Sequence, residues 1–157
     1  MNYWLIKSEP ESFSIDDLKN SPGKKTHWDG VRNYQARNYM RDDMRPGDPV
    51  LFYHSSCEEP GIVGVAEVAS RAYPDHTAFD PSDHHFDAKS DPENPRWLMV
   101  DMRFKRKTRR VISLAELKEH QRQLDDFILL RRGNRLSVMP VSKKQFDYVL
   151  SLEKRQP

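Results

Sequence analysis

Three times along the chain the same local grammar appears: an apolar residue, a serine, an acid or amide three residues further on, and a second apolar residue. Phe13-Ser14 with Asp17 and Leu18, Ile112-Ser113 with Glu116 and Leu117, and Val141-Ser142 with Gln145 and Phe146 each spell a capping box inside a hydrophobic staple. Each predicts a helix start. The first helix must be short, because Ser21-Pro22-Gly23 stops it, and the last runs through Tyr148, Val149 and Leu150. A further helix is predicted over residues 125–132, with Gly133 as its C-cap residue.

What lies between these starts has strand character. Tyr3-Trp4-Leu5-Ile6, residues 50–54 (VLFYH) and residues 62–69 (IVGVAEVA) are aromatic or β-branched runs. In the third, Gly64 and Ala66 share a face and leave room for something bulky. Residues 97–104 alternate, with Leu98, Val100, Met102 and Phe104 on one face and Met99, Asp101 and Arg103 on the other. A basic cluster from Lys105 to Arg110 is expected at the end of that strand. Residues 136–141 form a last strand, and Pro140 confines it to an edge. Residues 71–95, rich in Pro, Asp, His and Ser, predict an ordered but irregular excursion. Helices inserted between short strands without regular alternation argue for an α+β fold with a largely antiparallel, barrel-like sheet. A length of 157 residues suits one domain, residues 1–157.

The net charge of +2 does not mark a chain held to DNA by bulk electrostatics, so any nucleic-acid footprint must be local. The single Cys57 precludes an intramolecular disulfide. With no signal peptide and no apolar run of membrane-spanning length, the expectation is an intracellular, non-membrane protein: cytoplasmic or nucleoid-associated in a bacterium, nuclear in a eukaryote.

Catalytic signatures are missing. Asp83, His84, His85 and Asp87 crowd together but lack the spacing of a ligand set, so no metal is expected. Ser55, Ser56 and Cys57 follow His54 directly, without a nucleophile elbow. No phosphate loop or dinucleotide fingerprint is present, and no cofactor is expected.

The stretch WDGVRNYQARN, residues 28–38, holds a tryptophan before an Asp-Gly turn and a helix that Asn33 can cap, its N-terminus favouring an anion. Ala36, Met40 and Met44 give that helix a buried side, whereas Tyr34, Arg37, Asn38 and Arg41 lie opposite. Such a mixture suits nucleic acid, since bases stack on aromatic faces and arginines meet phosphates. On residue types alone, the commoner arrangement is a core tryptophan beside a solvated helix. Lys7-Ser8, Trp28, Asn33, Tyr53-His54-Ser55-Ser56, Trp97 and Ser137 stand at strand ends and could converge on one barrel mouth.

The segments YWLIKSEP, WDGVRNYQARNYMR, GDPVLFYHSS, GIVGVAEV, YPD, NPRWLMVD and RLSVMPV, in this order, closely resemble the EVE domain family over nearly the whole chain. The resemblance implies a PUA-like curved, largely antiparallel β-barrel with peripheral short helices, related to the YTH and SRA readers. It also implies recognition of modified cytosine, such as 5-methylcytosine or 5-hydroxymethylcytosine, by base flipping and without catalysis, with DNA ahead of RNA as partner. The similarity of LIKS to the YTH strand puts Lys7 and Ser8 at the pocket. By the same analogy Trp28 is a cage wall, Asn33 a pocket amide, and Ser55 the end of the next strand. The second wall stays open among Trp97, Tyr73 and Tyr53, with Ser56 and Ser137 as further polar lining. Arg32, Arg37, Arg106 and Arg109 are the expected phosphate contacts. A modified-RNA-binding module and a small hydrolase of modified nucleotides are the alternatives.

Overall fold

The computed structural model describes residues 1–156. Its centre is a parallel pair: β1 (Tyr3–Ser8) runs beside β3 (Pro49–His54), with Ile6 opposite Phe52 and Ser8 opposite His54. The other pairings are antiparallel. β7 (Val138–Val141) flanks β1, β4 (Gly61–Val68) forms a hairpin with β3, and β6 (Leu98–Ser113) pairs with β4, with β2 (Lys25–Trp28) and with β5 (Tyr73–Pro74). The main path is therefore β2-β6-β4-β3-β1-β7, with β7 at one end as Pro140 requires.

Strands β1, β3 and β4 are apolar almost throughout because both faces of the sheet are covered. On one face Trp4, Ile6, Phe52 and Ala66 pack with Trp28, with Ile15 and Leu18 of α1 (Ile15–Asn20), and with Ala36, Met40 and Met44. The last three belong to α2 (Tyr34–Asn38) and the π-helical turn Tyr39–Asp43 that continues into Met44. On the other face Leu5, Leu51 and Tyr53 meet Leu117 of α3 (Leu114–Glu119), Leu124 of α4 (Gln121–Leu124), and Phe146, Val149 and Leu152 of α5 (Lys143–Leu152). Each such side chain contributes about 1.5–3 kcal/mol by leaving water.

The boxes at Ser14 and Ser142 are complete. At Ser113 only half forms: the hydroxyl accepts from the Glu116 amide, but the Glu116 carboxylate turns to Arg110 in a two-point ion pair at 2.6 and 2.8 Å. The space at Gly64 is filled by α1, since a Cβ there would lie 2.8 Å from the Ile15 side chain.

Two expectations need correction. Residues 125–132 are not a helix: Asp125 and Asp126 adopt left-handed φ of 38° and 59°, and only a 3₁₀ turn, Ile128–Leu130, follows. Phe127 and Leu129 are both buried, and a spacing of two puts them on opposite sides of any helix. Strand β6 also runs straight through the basic cluster to Ser113. It can, because acids neutralise its cations: Arg103 and Lys105 meet Glu67, Arg106 meets Glu153, Lys107 meets Asp16, and Arg110 meets Glu116.

The irregular stretch is ordered by its own carboxylates. Asp75, Asp80, Asp83, Asp87 and Asp91 each accept the amide two residues on. These side-chain turns replace the backbone ladder of a strand or helix.

Candidate nucleic-acid interface

Strands β1 and β3 end together. The Ser55 amide donates to the Ser8 carbonyl and the Lys7 amide to the Ser137 carbonyl, both at 2.9 Å, so three segments meet at one end of the sheet. Beside them opens a cleft of about 750 Å³. Its walls include Ser8, Phe13, Trp28, Val31 and Leu136, and His84, His85 and Arg135 border it. That volume falls in the range of sites for small organic ligands.

Five of the ten expected base-binding residues line this cleft: Lys7, Ser8, Trp28, Ser55 and Ser137. Ser8 spends its proton on the Phe13 carbonyl, 2.5 Å away, so its hydroxyl has only lone pairs left to offer. Lys7 stands opposite Tyr53 across the parallel pair, with Nζ 6.0 Å from that ring's centre. Burial holds the Lys7 pKa below its ordinary value.

The other five are placed elsewhere. Asn33 caps α2, its side-chain oxygen 3.0 Å from the Ala36 amide. Tyr53 is buried in the far-face cluster, and that burial, with the Cys57 thiol nearby, pushes its pKa up to about 12. Ser56 is an exposed turn residue with φ of 52°. Tyr73 donates its hydroxyl to Asp101 at 2.5 Å; burial and that bond raise its pKa. Trp97 donates its indole N–H to Asp87 at 2.7 Å, and its ring is flanked by Tyr34 at 4.9 Å and the Arg32 guanidinium at 5.4 Å. None of the three candidates for a second wall, Trp97, Tyr73 and Tyr53, therefore lines the cleft.

The expected phosphate contacts also change. Arg32 is an internal strut: it donates to Asp75 at 3.0 Å, to the Thr77 hydroxyl at 3.2 Å, and twice to the His85 carbonyl, at 3.1 and 2.7 Å. Arg37 is held by the Arg96 carbonyl and Asn38, and Arg106 by both oxygens of Glu153 at 2.9 Å. Of the four, Arg109 alone has no side-chain partner among the described residues. Sequence reasoning missed Arg135, which borders the cleft with its guanidinium likewise unpartnered among the described residues. The arginine-rich turn RRGNR just before the edge strand was the available signal.

The strut has a purpose in the fold. Asp75, fully buried, accepts from the Gly30 amide at 2.8 Å as well as from Arg32 and Thr77. Burial works to raise its pKa, but the bonds from Thr77, Gly30 and Arg32 outweigh that and hold it below the usual carboxylate range. Gly30 is required here: its φ is +77°, and a Cβ would come within 2.5 Å of the His85 ring. Asp75 and Arg32 thus pin the turn after Trp28 to the loop bearing His85.

His54, three residues before Cys57, has one ring nitrogen engaged by the helix start. Its Nε2 accepts the Ile15 amide at 3.1 Å, a role only an unprotonated nitrogen can fill, and burial lowers its pKa accordingly. The Asp83, His84 and His85 donor atoms lie within 4.8 Å of one another, but Asp83 already holds the His85 amide in a local turn.

No helix among the described residues is long and apolar enough to cross a membrane. The EVE domain family model matches residues 2–152. Thymocyte nuclear protein 1 of Gallus gallus is 48% identical over 99% of this chain and 70% of its own length; that of Homo sapiens is 46% identical over 99% and 76%. The crystal structure of human THYN1 protein in complex with 5-methylcytosine-containing DNA superposes with a TM-score of 0.95, at 47% identity over 100% of both chains. A protein from Pseudomonas syringae gives a TM-score of 0.91 at 50% identity, covering 96% of this chain and 99% of its own. The mixed seven-stranded sheet with short helices is the PUA-like fold, and the chain belongs to the EVE domain family.

Proposed function

We propose that this protein is a reader of modified cytosine in DNA, one that captures a flipped base in the cleft and performs no chemistry on it. The observation that carries this reading is the whole-chain likeness, at a TM-score of 0.95, to human THYN1 bound to 5-methylcytosine-containing DNA. The cleft's chemistry supports it. A cytosine presents two acceptors and one exocyclic amine on its pairing edge. Ser8, with its proton already committed, is an acceptor for the amine; the Ser55 and Ser137 hydroxyls have no side-chain partner among the described residues. Arg135 and Lys7 hold the flanking phosphates, which fix position without reading sequence. A reading without catalysis is supported by His54, whose Nε2 is engaged by a helix amide, and by the cleft serines, none of which hydrogen-bonds a histidine among the described residues. These residues act as one domain, a reading that the pairing of β1 with β7 supports.

The test is a fluorescence-anisotropy screen with single- and double-stranded DNA and RNA carrying cytosine, 5-methylcytosine or 5-hydroxymethylcytosine, at several salt concentrations. Tighter binding of modified DNA is expected. Preference for RNA would transfer the reading to modified RNA. Product formation from any of these substrates, followed by mass spectrometry, would replace the reader with an enzyme.

A further inference from the structure

The three tryptophans differ in one respect. Trp4 donates its indole N–H to Asp48 at 3.0 Å and Trp97 donates to Asp87 at 2.7 Å, whereas the Trp28 N–H has no acceptor among the described residues. Trp28 is nevertheless only 9% exposed, and a buried indole N–H ordinarily finds a partner. Nor is this one sealed from solvent: the buried side-chain polar atom left without a partner among the described residues is the Ser90 hydroxyl, not the Trp28 nitrogen. The N–H must then open into the cleft that Trp28 lines.

The small exposure decides how Trp28 meets a ligand. Phe13 and Phe52 pack against it at interplanar angles of 79° and 81°, with centroids 6.0 and 5.6 Å away. With only 9% of its surface exposed, the indole has too little area open to the cleft to offer the full face that stacking requires. We infer that Trp28 addresses the captured base edge-on, donating its indole N–H to an acceptor on the pyrimidine ring, and that it is not a stacking wall. The inference rests on the reader function proposed above. On cytosine the available acceptors are ring nitrogen 3 and the 2-carbonyl oxygen, both remote from the substituent at carbon 5. Trp28 therefore reads the pyrimidine itself, and preference for the modified form arises at other residues.

The experiment uses the full chain with ¹⁵N-labelled tryptophan, which gives three indole N–H signals, the Trp28 signal being assigned by its loss in Trp28→Phe. In the free protein the Trp28 proton exchanges with water faster than that of fully engaged Trp4. Saturation with DNA containing 5-methylcytosine is expected to move the Trp28 signal downfield and slow its exchange. Trp28→Phe, which keeps the aromatic core but lacks the donor, is expected to lose about three- to tenfold in affinity, equally for modified and unmodified cytosine. A Trp28 signal that stays in place while anisotropy reports saturated binding overturns the inference and leaves the reader function standing. If Trp28→Phe does not fold, the Trp28 signal is assigned instead by its nuclear Overhauser contacts to Phe13 and Phe52, and the wild-type titration still decides. Failure of every oligonucleotide to bind overturns both.

Discussion

Replacing Asp75 with Ala tests how the cleft wall is held. Its carboxylate is fully buried and takes four hydrogen bonds: from the Gly30 amide at 2.8 Å, from Arg32 at 3.0 Å, and from the Thr77 amide and hydroxyl at 2.9 and 2.6 Å. Removing one member of a buried ion pair costs about 3–5 kcal/mol. Arg32 keeps the His85 carbonyl and Thr77 hydroxyl and is 23% exposed, which favours the low end. The orphaned Gly30 amide adds about 1 kcal/mol, for a total of about 4 kcal/mol. For a chain of this length that lowers Tm by about 8–16 °C. Urea unfolding followed by tryptophan fluorescence and circular dichroism measures it. The pH dependence has a definite sign. Because the folded Asp75 pKa is depressed, its stabilisation is fully present above the unfolded value of about 3.9 and is lost as pH falls through the lower folded value. Asp75→Ala should lack that part of the acid limb. A loss under about 1 kcal/mol, or an unchanged acid limb, would refute the argument that Asp75 anchors the wall.

Trp28→Ala is expected to destabilise the fold by about 3–5 kcal/mol, since Trp28 belongs to the buried cluster with Ile6 and Phe52; thermal melting reads this directly. Arg106→Glu should lower stability and leave DNA affinity per folded molecule unchanged, because its partner Glu153 is buried, and adding Glu153→Arg should restore part of the loss. Arg135→Ala is expected to weaken binding to modified and unmodified DNA alike and to reduce the slope of log affinity against log salt by about 1. The His54 contribution runs with acid: its folded pKa is depressed, so stability is present above about pH 6.5 and declines as pH falls below it, and His54→Gln should flatten that decline in melts between pH 7 and pH 5.

Local grammar was legible where both partners lie within four residues. Ser14 with Asp17, Ser142 with Gln145 and Asn33 with the Ala36 amide all formed as their spacing predicts. Glu116 escaped because its partner Arg110 sits on the preceding strand and outcompetes the serine amide. Strand β2 was invisible in KTHW, where only Trp28 is buried, and the parallel pairing of β1 with β3 is a long-range fact that no local pattern carries. The site divides the same way. Ser8, Ser55 and Ser137, at strand ends, line one cleft because ends of neighbouring strands converge. Tyr73 and Trp97 have the right chemistry, but Asp101 and Asp87 claim their polar atoms. Charge was equally visible and equally ambiguous: sequence shows that Arg32 and Arg106 are cations, not that Asp75 and Glu153 await them.

The position of β1 has a consequence for how the chain comes into being. One edge of β1 pairs with β3, but the other is completed only by β7, with Leu5 opposite Met139. During synthesis at about 5–20 residues per second, the apolar run Trp4-Leu5-Ile6 must therefore wait about 7 to 27 seconds for its second neighbour to be made. Until then its backbone groups form an open edge, the kind that recruits strands from other chains. Folding to the native sheet is thus necessarily a late event, contact separation is close to the full length of the chain, and loss of β7 should convert the first strand from a central element into an aggregation site.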